Sequence, residues 1–158
     1  MVKTFEFDLD GSNPYITNHK HTLEDHPKYG KCIHLKPNVE FAYELQIPFK
    51  DLSLSTDHYI SFSFEILDKE NSGSSFVYEV NRDNQLLKAP DDSDAWFGKK
   101  LGIFNLKSGW NRAVHARKID PYFLKEDVAK LYFWNPNKGD IYIRNFVIQI
   151  KQLPEKNR

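Results

Sequence analysis

The sequence has one cysteine among its 158 residues, so no disulfide can close within the chain. That cysteine, Cys32, sits in Lys31-Cys-Ile-His-Leu-Lys36 and is expected to be a buried strand thiol, because free cysteine is among the most buried residue types. The lack of disulfides fits a reducing compartment without requiring one. No stretch approaches the roughly 20 apolar residues of a membrane-spanning helix. The opening Met-Val-Lys-Thr-Phe-Glu-Phe-Asp lacks the apolar region of a signal peptide, so the chain reads either as a cytosolic protein or as a domain of a longer exported one. Charge of one sign is missing too: 22 basic side chains meet 22 acidic ones. That balance argues against nucleic acid as a partner, which calls for a basic excess or stripe. The seven glycines include no phosphate-cradling loop. Ser72-Gly-Ser-Ser75 is a polar turn and not a strained nucleophile elbow.

Aromatic residues are abundant, with 12 Phe, 8 Tyr and 3 Trp. They favour pleated, half-buried surfaces, and they also serve as platforms for flat ligands. Period-2 alternation recurs along the chain while period-3.6 patterning is scarce. Strands are expected over residues 4–9, 31–35, 39–45, 58–67, 75–80, 110–119, 128–134 and 140–152, with a further strand around 101–106. Residues 15–30 and 85–94 read as polar loops, 121–127 as the one short-helix candidate, and 154–158 as a frayed tail. Residues 68–74 and 135–139 read as hairpin connections. A parity switch between Ile143 and Phe146 predicts a bulge near Arg144-Asn145. The expected fold class is all-β: one antiparallel two-sheet sandwich domain over residues 1–153. Ile60, Phe62, Phe64, Ile66, Val114, Phe133, Ile141 and Ile143 are expected between the sheets, with Trp110 plugging one end.

The run Val128-Ala-Lys-Leu-Tyr-Phe-Trp-Asn-Pro-Asn-Lys-Gly-Asp-Ile-Tyr-Ile-Arg-Asn-Phe-Val-Ile-Gln-Ile150 resembles the closing strands of galactose-binding-like jelly rolls, a group that includes many bacterial carbohydrate-binding modules. Gly109-Trp110 and Phe5-Glu-Phe-Asp-Leu-Asp-Gly11 occupy matching places. The resemblance implies a jelly-roll sandwich and a saccharide or glycan partner. It also implies a structural calcium between an acid of the first strand and the Asp of a closing Tyr-Ile-Asp-Asn. Here Arg144 stands at that Asp position, and a guanidinium repels a hard divalent ion. Glu6 or Asp8 is expected to pair with Arg144 instead, so no cofactor is expected, although other acids near the first strand leave a calcium open.

The candidate site residues follow from position. Trp96 comes after a polar loop and Trp134 alternates out of register with Leu131 and Phe133, so both are candidates to stack on a ligand ring. Asp94, Glu79, Arg117 and His115 are candidates to hydrogen-bond it, with Val114 and Ala116 pointing the other way and Arg82 nearby. His19, His21, Glu24, Asp25 and His26 form the densest set of metal-ligand types but read as solvated loop residues. No strand carries the carboxylate pair of a jelly-roll glycosidase. The expected function is therefore a non-catalytic carbohydrate-binding accessory domain. The alternatives are a protein-interaction or structural sandwich and, third, an enzyme acting on glycans. Chelation should leave thermal unfolding nearly unchanged. A drop in midpoint of more than about 5 °C, on the order of 1 kcal/mol, would mean that a structural metal is bound after all.

Overall fold

The structure, a computed structural model, describes residues 2–6, 9, 11–52, 58–70, 72–87, 95–101, 109–120 and 122–152. The described strands are β1 (Val2–Glu6), β2 (Ile16–Asn18), β3 (Leu23–His26), β4 (Gly30–Leu35), β5 (Phe41–Pro48), β6 (His58–Leu67), β7 (Ser75–Arg82), β8 (Gln85–Leu86), β9 (Trp96–Lys100), β10 (Asn111–Lys118), β11 (Val128–Trp134) and β12 (Ile141–Gln152). A short 3-10 turn, Lys20–Thr22, and one helical turn, α1 (Phe49–Leu52), complete the described elements. All described pairings are antiparallel. Sheet A runs β10-β6-β12-β4-β3, with β1 also on β12. Sheet B runs β2-β5-β11-β7-β8, with β9 also on β7. This is the expected all-β jelly-roll sandwich.

The alternating faces explain why the sheets stack. Ile60, Phe62, Phe64 and Ile66 of β6 face inward, as do Ile141 and Ile143 of β12 and Leu131 and Phe133 of β11. Phe62, Phe64, Phe76, Phe133 and Phe146 form a continuous ring cluster, with centroids 5.3–6.1 Å apart. Each such ring, buried between the sheets, contributes about 1.5–3 kcal/mol. The bulge predicted near Arg144-Asn145 is present. Pairing of β12 with β6 shifts register between Arg144 and Val147, and Asn145 takes φ 55, which asparagine tolerates. Before the bulge β12 pairs with β4, and after it with β1.

Several expectations need correction. Residues 68–74 and 135–139 are not hairpin turns: β6 and β12 belong to sheet A, β7 and β11 to sheet B. Both segments are arches between sheets, because alternation assigns a residue to a face but not a strand to a sheet. Val114 is 52% exposed, while Ala113 is buried. Strand β10 carries alanine at both parities, so its register on β6 decides, and that register puts Ala113 opposite Phe64 and His115 opposite Phe62. Residues 122–127 form turns and not a helix. The buried Asp127 carboxylate accepts from Leu124 N (2.8 Å) and from Arg82 Nε and Nη2 (2.7 and 2.8 Å), which fixes the segment locally. The polar segment 15–30 holds β2, the 3-10 turn and β3. The expected strand around 101–106 and the tail from 154 lie outside the described residues, apart from Leu101.

Asn135 joins the arches. Its amide Nδ2 donates to the carbonyls of Lys36 (3.1 Å), Val39 (3.2 Å) and Gly139 (2.9 Å). Its Oδ1 accepts from Gly139 N (2.9 Å) and Ser74 Oγ (2.5 Å). A Cβ on Gly139 would strike the Ser72 side chain, so the two arches also pack against each other. Asn135→Ala strands several buried polar groups at roughly 1–3 kcal/mol each, partly relieved by relaxation. Urea unfolding should show a loss of about 2–4 kcal/mol, against less than about 0.5 kcal/mol for Asn38→Ala on an exposed turn. Equal losses in the two variants would refute the hub.

Candidate functional site

The outer face of sheet A carries a polar and aromatic cluster that the core does not require. Strand β4 alternates Ile33 and Leu35 inward with Cys32 and His34 outward. Register sets His34 opposite Tyr142 on β12, and Glu24 opposite Cys32 on β3. His34 and Glu24 are therefore diagonal neighbours on one face. His34 is buried there, and both ring nitrogens are engaged: Nδ1 lies 2.7 Å from Glu24 Oε2 and Nε2 lies 2.6 Å from Asp140 Oδ1. Asp140 follows Gly139, the residue that Asn135 grips from both sides, so the arch hub sets the carboxylate in place. The Tyr142 ring stacks on His34 at 4.1 Å and 22°.

Two close nitrogen–oxygen contacts require two hydrogens. A neutral imidazole between two carboxylates supplies one. Both contacts can be hydrogen bonds at once only when the triad carries one proton more than that neutral arrangement, on the ring or shared with a carboxylate. The Tyr142 π face, stacked on the ring, suits an imidazole that carries positive charge. The hydrogen bond from His34 lowers the Glu24 pKa below 4.5, outweighing the opposing effect of burial, and the charges of His34 and Lys36 add to the lowering. Burial raises the Tyr142 phenol, and the Asp140 and Glu24 carboxylates raise it further. Cys32, buried beside this cluster as expected, is pushed up to about 11, by burial first and then by Glu24 and Asp25, so it is an unreactive thiol.

A cleft of about 210 Å³ opens next to the triad, lined by His26, Tyr29, Leu67, Asp140 and Tyr142, with Lys69 and Glu70 from the β6–β7 arch. Tyr29 stacks on His26 at 4.5 Å and meets Tyr142 at 4.9 Å. The Asp140 side chain is 51% exposed, so a ligand in the cleft can reach it.

The residues singled out from sequence lie elsewhere and do not converge. Trp96 (44% exposed) stands opposite Glu79 on the outer face of sheet B, its indole over Gly98. Glu79 accepts from the Tyr132 hydroxyl at 2.7 Å. Trp134 (37% exposed) shares that face, its indole N–H 3.4 Å from Glu40. The two tryptophans are two strands and four residues apart, roughly 16 Å, too far for one sugar ring. His115 and Arg117 project from the inner face of sheet A against Phe97, at 5.4 and 4.8 Å. Asp94 lies outside the described residues. Arg82 is committed to Asp127. Trp110 does not plug the sandwich: it lies half-buried on the outer face, under the Arg144 guanidinium (3.9 Å) and beside Tyr29 (5.6 Å). Arg144 pairs not with the first strand but with Glu65, 3.1 Å away, which its register on β6 sets beside it. Glu6 is exposed, and Asp8 lies outside the described residues. The His19 and His21 rings meet in a T-shaped arrangement at 5.9 Å, and among the described residues no group of three or more His, Cys, Asp or Glu is placed to hold a metal.

No protein-family model and no curated protein sequence matches the chain. Solved structures similar to the chain include three cyclases. The Stig cyclase Fisc from Fischerella sp. TAU, in complex with (3Z)-3-(1-methyl-2-pyrrolidinylidene)-3H-indole, is 11% identical over 88% of this chain and 72% of its own, with a TM-score of 0.49. An apo cyclase from Fischerella sp. is 10% identical over 87% and 71%, with a TM-score of 0.48. A further cyclase from Fischerella sp. TAU is 11% identical over 87% and 73%, with a TM-score of 0.47. These are enzymes and not carbohydrate-binding modules. The expectations of a non-catalytic domain and of glycan recognition are corrected accordingly.

The Glu24–His34 bond has a pH signature. Because the folded state lowers the Glu24 pKa, its stabilisation is full above the unfolded value and is lost as pH falls through the folded one. Thermal midpoints should therefore fall below pH 4.5 more steeply in the wild type than in Glu24→Gln. Parallel profiles would show that the bond is absent.

Proposed function

We propose that this chain is an acid–base enzyme acting on a small flat molecule held in the cleft beside Asp140. The observation that carries this reading is the pair of contacts at 2.7 and 2.6 Å on the two nitrogens of one buried imidazole. Both can be hydrogen bonds at once only with a hydrogen beyond the complement of a neutral ring, so the cluster is built to hold a transferable proton next to a cavity.

Each residue has a distinct part. Asp140 meets the ligand and gives or takes the proton at its carboxylate. The proton in play is the one shared between His34 Nε2 and Asp140: it leaves through the Asp140 carboxyl to the ligand, the imidazole is left neutral with its remaining hydrogen on Nδ1 towards Glu24, and the reverse transfer restores it. Glu24 holds Nδ1 and fixes the ring orientation. Tyr142 keeps the imidazole flat against the sheet and, with Tyr29, gives the ligand an aromatic wall. A proton donor or acceptor positioned in this way typically supplies about 10²–10⁴-fold in rate.

Nuclear magnetic resonance tests both halves of the proposal. The wild type should show two slowly exchanging downfield imidazole protons, with Glu24→Gln and Asp140→Asn each altering a different one. Neutral aromatic fragments should perturb Tyr29 and Tyr142 before other aromatic signals. A spectrum without such protons removes the acid–base assignment. Fragments that bind only elsewhere remove the cleft as the ligand site.

A further inference from the structure

The aromatic wall does not end at the cleft. The Tyr29 ring touches Tyr142 on one side and Trp110 on the other, and Trp110 carries the Arg144 guanidinium on its face at 3.9 Å. The lane thus runs from the acid–base triad to a cation. Arg144 is held through Nε by Glu65, a bond that uses one of the five N–H donors of its guanidinium. Asn145, turned outward by the bulge, also donates to Glu65. Across Glu65 on β10 stands Arg112, exposed. A depression of about 300 Å³ lies here, lined by Glu65, Arg112 and Asn145. Two guanidiniums against one carboxylate leave a net positive charge, with most of their donors beyond the reach of that single partner.

We infer that the ligand of the cleft is an aromatic carboxylic acid, its ring against Tyr29 and Tyr142 and its carboxylate on Arg144 and Arg112. This rests on the cleft being the ligand site. The spacing suits it: Tyr142 and Arg144 are two residues apart on one strand, about 7 Å. That is the reach of a ring bearing a carboxylate two or three bonds out. Guanidinium forks match a carboxylate in charge and in planar geometry. The carboxylate anchors the molecule at one end and leaves the ring beside Asp140.

The test compares 3-phenylpropionate with its uncharged amide, by calorimetric titration and by shifts of the Tyr29, Tyr142 and Trp110 signals. The acid should bind about tenfold tighter at low salt, as expected for charge-assisted bonds. Arg112→Gln and Arg144→Gln should each bring its Kd towards that of the amide. Arg112 is exposed, so its variant stays informative even if Arg144→Gln loosens the stack on Trp110; thermal midpoints identify that case. Equal binding of acid and amide in the cleft overturns the anion site and leaves the cleft standing. If neither compound moves Tyr29 or Tyr142, the aromatic-acid assignment is overturned. The cleft reading falls with it only if neutral fragments also leave those signals unmoved.

Discussion

The sandwich depends on one side chain, Asn135. Three passages between sheets, β4 to β5, β6 to β7 and β11 to β12, meet at its amide. A jelly roll must carry its chain repeatedly from one sheet to the other, and each passage exposes backbone groups that no strand partner satisfies. Asparagine answers this at one point because it both donates and accepts. Its backbone N–H adds a further bond, to Glu40 O at 2.6 Å. With Asn135 in place, Phe133 on the strand before it and Ile141 on the strand after it face the same core from opposite sheets.

What the sequence makes legible follows from this. Strands 58–67 and 128–134 are read to the residue, because strict alternation under strong burial leaves one solution. The bulge at Arg144-Asn145 is legible for the same reason: a parity break in an apolar series has one economical explanation. The arches are not legible. Asn135-Pro-Asn-Lys-Gly139 has the composition of a hairpin turn, and only the placement of β5 and β7 on either side of β11 shows that β12 must leave for the other sheet. Val114 fails more locally. In Asn-Arg-Ala-Val-His-Ala-Arg-Lys neither parity is decisively apolar, and the neighbouring strand supplies the answer.

The candidate site was hidden for a related reason. Glu24 is 10 positions from His34, and Asp140 is 106 positions away. No local motif contains them. Glu24 stood among the histidines of a segment that looks solvated, yet its partner is on the next strand. The one available signal was modest: in Cys32-Ile-His-Leu35 the polar member of the outward pair is a histidine, on a strand otherwise suited to burial. The aromatic excess was also ambiguous. Much of the phenylalanine went to the core, while Tyr29, Tyr142 and Trp110 went to the outside of sheet A, where no packing between the sheets calls for rings.

The hub and the triad are mechanically the same region. Asn135 holds both the N–H and the carbonyl of Gly139, and Asp140 is the next residue. Lys36, whose carbonyl Asn135 also holds, directly follows the strand that carries His34. The acid and the imidazole are therefore positioned by backbone that the fold fixes for its own stability. A site built in this way needs little reorganisation when a ligand arrives, since the geometry that proton transfer demands is already supported from below. The same economy explains the contrast with Arg144. That side chain sits past the arches, at a bulge, and its orientation comes from a neighbour on each side, Trp110 and Glu65. The proton chemistry proposed for the lane lies at the end that the arches fix, and the charge proposed to recognise the ligand lies at the end where neighbouring side chains set the orientation.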